Sequence, residues 1–106
     1  MARLYTDRIM ANTQGGPPDR LDRVVPDGQS WCIRSIVVAF LDQLTTVLDV
    51  QVITAGSQYY VARFYSSNGA YQHLDLRQTV RATETISVTM DAGRASFALT
   101  GYKFLV

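Results

Sequence analysis

The stretch VLDVQVIT, residues 47–54, sets Leu48, Val50 and Val52 on one parity and Asp49 and Gln51 on the other. Successive side chains of extended backbone point to opposite sides, so this period of two is the pattern of a half-buried strand. The alternation returns in TISVTM, through Ile86, Val88 and Met90, and in YQHLDLR, where Leu74 and Leu76 oppose His73, Asp75 and Arg77. Turn residues punctuate these runs: Pro26-Asp27-Gly28, Gly56, Asn68-Gly69 and DAGR at residues 91–94. About eight short strands at spacings of roughly 8–12 residues are predicted, the signature of an all-β, antiparallel β-sandwich of jelly-roll or Ig-like type.

One longer run, SWCIRSIVVAFL, is apolar on nearly both parities after Ser35. It reads as a central strand, covered on both faces in its second half. QYYVARFY and AYQHLDLRQ flank SSNG, so they are expected to form a hairpin turning at Asn68-Gly69. If Tyr60, Ala62 and Phe64 face the core of that hairpin, then Tyr59, Val61, Arg63 and Tyr65 face outward. The best helical candidate is FLDQLTTVLDV, but Thr45, Thr46 and Val47 are β-branched and no cap precedes it. At most one short helical turn is expected there.

Gly15, Gly16, Pro17 and Pro18 stand in succession, which neither a helix nor a central strand tolerates. Residues 1–18 therefore read as an N-terminal arm or edge strand with a Gly/Pro loop, and residues 19–106 as one sandwich domain. An arm can lie across a neighbouring subunit and add backbone hydrogen bonds to its sheet edge. On that reading, deleting residues 1–16 leaves a folded domain that no longer assembles.

With 106 residues the chain can bury one core without disulfides. Ten Lys and Arg against nine Asp and Glu give a formal net charge of +1, which carries no footprint for nucleic acid or an anionic membrane. No segment approaches the roughly 18 uninterrupted apolar residues of a membrane span, and the N-terminus lacks the apolar region of a classical export signal. Lys103 is the only lysine, and a cation set made almost wholly of arginine suits protein interfaces.

Chemistry-bearing residues are sparse. His73 is the only histidine; beside Asp75 it could pair as a base, but no Ser or Cys stands in a nucleophile-elbow context, and an exposed strand histidine is the expectation. One His and one Cys cannot make a structural zinc site, so no metal and no cofactor are expected. Cys32, in an apolar run, reads as a core or edge residue rather than a reactive thiol. Asp19, Asp22 and Asp27 interleave with Arg20 and Arg23, which favours local ion pairs over a calcium loop. The candidate partner-binding surface is therefore Leu4, Tyr5 and Ile9 on the arm, with Tyr59, Arg63 and Tyr65 on the tyrosine-rich segment. Exposed Tyr and Arg together are the side chains that interface hot spots use, and aromatic rings also stack on sugars.

Three segments resemble a class of small all-β proteins and domains encoded by tailed bacteriophages and prophages: Val25 to Val38, with its Pro-Asp-Gly turn followed by Trp31 and RSIVV; Val80 to Val88, with RATETISV; and Thr100-Gly101-Tyr102. Glu84 stands where that class has a glycine, so the turn before TISV is expected to differ in shape. The resemblance implies a non-enzymatic structural component of a bacteriophage virion, a minor tail protein or a capsid decoration protein, partnered by other copies of itself and by larger virion proteins. The alternative is a carbohydrate-binding or host-receptor-binding module at a tail tip. The chain has no fibre stalk or collagen-like tract, which argues for direct docking on a larger assembly.

Overall fold

In a computed structural model of the chain, residues 3–15, 19–41, 45–91 and 93–105 are described. Eight strands follow in order: β1 (Arg3–Gly15), β2 (Asp19–Val24), β3 (Gln29–Phe40), β4 (Val47–Thr54), β5 (Ser57–Tyr65), β6 (Tyr71–Val80), β7 (Thr85–Met90) and β8 (Arg94–Leu105). They form two four-stranded sheets, ordered β1-β8-β3-β6 and β2-β7-β4-β5, in which every pairing is antiparallel. β1 pairs β8, β2 pairs β7, β3 pairs β6 and β4 pairs β5. That nesting is a long hairpin rolled over on itself, and it selects the jelly roll from the two sandwich types that alternation allows.

The inner faces close on Ile33, Ile36 and Val38 of β3, Leu48, Val50 and Val52 of β4, Ile86 and Val88 of β7 and Leu99 of β8, all without solvent contact. Each such side chain contributes about 1.5–3 kcal/mol of transfer free energy. β3 is central, between β8 and β6, as its composition predicts. Its second half is not covered on both faces, however: Ile36, Val38 and Phe40 point inward while Val37 stays 48% exposed. A two-layer sandwich covers one face of each sheet, so the outward half of this apolar run is left open.

Local chemistry explains the turns. Gly28 takes φ 80 and Gln29 N–H reaches Pro26 O at 3.2 Å, closing the turn into β3. In the turn before TISV, Thr83 sits at φ 71, and the Glu84 carboxylate accepts the Arg81 N–H at 2.6 Å. Val25 and the same turn exchange backbone bonds, Val25 N to Glu84 O at 2.9 Å and Thr83 N to Val25 O at 2.8 Å.

The expected hairpin at Asn68-Gly69 is corrected by the pairing. β5 pairs β4 and β6 pairs β3, so SSNG carries the chain from one sheet to the other. Ser66–Asn68 form a single 3-10 turn, and Gly69 at φ 129 redirects the chain. Ser66 N–H donates to Thr46 O at 3.0 Å and Ser66 Oγ accepts from Thr46 N at 2.9 Å, fixing the crossover to the start of β4. The hairpin in this region is β4–β5, where Thr54 pairs Ser57 across a two-residue turn with Gly56 at φ 84. Of the helical candidate, residues 42–44 lie outside the described residues, and β4 begins at Val47.

The N-terminal stretch takes the edge-strand form. β1 runs along β8 from Arg3–Leu105 to Gly15–Arg94, with a bulge between Arg8 and Met10. Ile9, at that bulge, is 4% exposed and belongs to the core.

Candidate interaction surfaces

Of the six residues expected to face a partner, the structure brings two together and separates the rest. Leu4 and Tyr5 stand on β1 opposite Phe104 and Lys103; their side chains lie outside the described part of the structure. Ile9 is buried and is withdrawn from the surface. Arg63 and Tyr65 do share an outward face. Tyr59 does not join them, because the β4–β5 register slips between Val50 and Gln51: Ala62 opposes Val50, but Tyr60 opposes Gln51 and Tyr59 opposes the fully buried Val52. A one-residue bulge flips every side chain beyond it. Tyr60, 58% exposed, is therefore the ring on the Arg63 face, and Tyr59, still 40% exposed, turns toward the seam between the sheets.

At that seam Gln78 Nε2 on β6 reaches Tyr59 Oη at 3.4 Å. Desolvation, aided by Glu84, pushes the Tyr59 phenol above its ordinary pKa. Outward, Arg63 Nε and Nη2 donate to Asp49 Oδ1 and Oδ2 at 2.6 and 3.2 Å, a side-on two-point pair across the register match of the two residues. The guanidinium lies 4.8 Å from the Tyr60 ring centroid. Hydrogen bonds to Asp49 and then Tyr65 raise the Arg63 pKa above its ordinary value. Val47, Asp49, Arg63, Thr89, Met90 and Asp91 line a shallow groove beside this cluster. At its end Asp91 Oδ1 accepts from Thr46 Oγ1 at 2.7 Å and Val47 N at 2.8 Å. This face is polar and pre-ordered, since each charged group is held by a neighbour.

The outer face of the other sheet is more apolar. Cys32, Arg34, Arg77, Thr79, Tyr102 and Phe104 line a slot. Cys32 is buried and unbridged at its floor, as a packing residue. Tyr102 and Phe104 alternate on β8 with Lys103, whose ammonium lies 4.5 Å from the ring of buried Trp31. Trp31 Nε1 in turn donates to Gln29 Oε1 at 2.8 Å. Farther along stand Val37 and, at the start of β6, Tyr71, 85% exposed.

Between them, His73 Nε2 lies 3.0 Å from Ser35 Oγ and 2.9 Å from Asp75 Oδ1. The three residue types of a hydrolytic triad meet here, but not in its geometry. A triad needs the carboxylate on one ring nitrogen and the serine on the other, so that one nitrogen is free to take the hydroxyl proton. Here both partners converge on Nε2, and a proton on that atom for Asp75 leaves nothing to accept from Ser35. Elsewhere Arg20 Nε reaches both Asp22 oxygens at 2.9 and 3.1 Å, the local ion pairing expected for that acidic and basic stretch.

No protein-family model matches the sequence, and no significant match was found among curated proteins. Among solved structures, the chain is similar to the Drosophila NLP-core, a structure described for pentamer formation and histone binding, at 15% identity and a TM-score of 0.54 over 94% of this chain and 96% of that one. The structure of the infectious bursal disease virus Gx strain matches at 9% identity and a TM-score of 0.42 over 98% of this chain and 32% of that one. At such identities the first likeness concerns the fold alone. The chain is thus an eight-stranded sandwich of a kind found in other proteins, with two outer faces of contrasting chemistry.

Proposed function

We propose that this chain is a non-enzymatic structural protein of a tailed-bacteriophage virion, acting by assembly with copies of itself and with larger virion proteins. The observation that carries the reading is the apolar surface left open on the β1-β8-β3-β6 sheet: Val37, Tyr71 and the slot bordered by Tyr102 and Phe104. Open apolar side chains, and rings set beside arginines as Tyr102 and Phe104 are beside Arg34 and Arg77 in the slot, are the makings of a protein interface. The resemblance of the Val25–Val38 and Val80–Val88 segments to phage virion domains supports the setting. A similar fold in a protein described for pentamer formation supports assembly with like copies. Histone binding is not carried over, because a formal net charge of +1 offers no acidic counterpart to a basic partner. Electron microscopy of the parent particle tests the reading. Sandwich density packed against neighbours through this face is expected, and a purified particle lacking the chain would refute it.

A second reading, a carbohydrate-binding or receptor-binding module, is favoured by the Tyr60–Arg63–Asp49 cluster, where an open ring stands beside paired donors and acceptors. Glycan-array binding should then vanish in Tyr60→Ala and survive in Tyr59→Ala. Equal loss in both variants would count against this surface.

A further inference from the structure

The four border strands of the sandwich differ in how they are protected. A sheet edge presents unpaired N–H and C=O groups, which monomeric proteins blunt with charge, brevity or bulges. β2 has six residues, among them Arg20, Asp22 and Arg23; β1 and β5 each carry a bulge, which in β5 flips the parity of the strand. β6 is ten residues long and contains no Pro or Gly. Its pairing with β3 also carries an extra residue, since Asp75 to Gln78 stand opposite Ser35 to Ile33, yet Leu76 and Val80 keep to the core side on the same parity. Leu74, opposite fully buried Ile36, is still 37% exposed, and Leu76 packs on the core only in part. These are the features of a strand with one side unfinished.

The charges on its outer face are self-complementary. Asp75, with a side chain 81% exposed, and Arg77 flank Leu76, and Arg77 has no ion pair among the described residues. In an antiparallel pair the residues facing one another have a constant sum of numbers, so a two-fold axis beside Leu76 sets Asp75 of each copy opposite Arg77 of the other. The two Leu76 side chains then meet each other on the core side.

We infer that β6 is a self-association edge: two copies pair antiparallel about Leu76, joining their β1-β8-β3-β6 sheets into one continuous sheet. The occupant is a second copy of this chain, because the strand's own charges fall in opposite-sign register when it pairs with itself. The inference rests on the assembly reading above and supplies its geometry.

Sedimentation of the full chain, of Asp75→Arg, of Arg77→Asp, of the double variant and of an equimolar mixture of the two single variants tests it. Each single variant sets like charges opposite one another twice and should dimerise at least ~10-fold more weakly than the wild type. The double variant should recover. The mixture should also recover, as a heterodimer, because the arginine introduced in one variant then faces the aspartate introduced in the other, while the native Arg77 faces the native Asp75. Thermal melts of the single variants matching the wild type separate lost pairing from lost fold. If all the proteins assemble alike, the β6 edge is overturned while assembly itself stands. A wild type that stays monomeric overturns the edge, and the particle images then judge the wider reading alone. Singles that weaken without recovery on mixing overturn the register, as they would if Asp75 faced His73 about Leu74 instead.

Discussion

Deleting residues 1–16 is expected to unfold the domain rather than to free it from an arm. β1 pairs with β8 over nearly its whole length, from Arg3 to Gly15, and sends Ile9 into the core. Without it β8 becomes an edge, and the inner face around Phe97 and Leu99 loses its flank. Losing a buried Ile side chain alone costs about 2–5 kcal/mol, and the ladder is lost with it, against a total stability of roughly 5–15 kcal/mol for a domain of this size. The truncated chain should show no cooperative thermal transition by circular dichroism. A melting temperature within about 5 °C of the full chain would mean that β1 is an appended arm after all.

Gly101→Ala is expected to be the most damaging single substitution in the β3–β8 ladder. Gly101 pairs with Ile33 beside the bulge between Ile33 and Ser35, and the bulge presses β3 backbone onto it. An added Cβ would collide with Cys32 O and lie 3.0 Å from Cys32 C and 3.1 Å from Arg34 N. All three neighbours are backbone atoms, so no rotamer change relieves the contact; only displacement of the central strand does. The expected loss is about 3 kcal/mol or more, which lowers the melting temperature by roughly 12–24 °C. Calorimetry giving a shift of under about 4 °C would show that β3 and β8 do not approach so closely there.

Several elements are legible without coordinates. Leu48, Val50 and Val52 alternate because β4 has one face in the core, and the Pro26–Gly28 turn and Gly56 sit where the chain bends. Arg63 and Tyr65 face outward as alternation predicts, since they lie on the same side of the bulge as buried Phe64. Tyr59 and Tyr60 exchange their expected faces because the extra residue leaves no mark in a run where Tyr, Tyr, Val and Ala all suit a strand. SSNG misleads for a related reason: Asn68-Gly69 satisfies a tight hairpin and a change of sheet equally well. Ile9 gives no sign of burial, because Ile9, Met10 and Ala11 form one short apolar run between Arg8 and Asn12, which shows no period of two.

Short-range chemistry thus dictates that this chain makes strands and roughly where each one ends, because side-chain parity and turn dihedrals depend on adjacent residues. Tertiary structure alone decides which strands are neighbours, which tyrosine faces out and which edge remains open. Those follow from closing two inner faces on one core, and burial of that kind is shared among residues far apart along the chain.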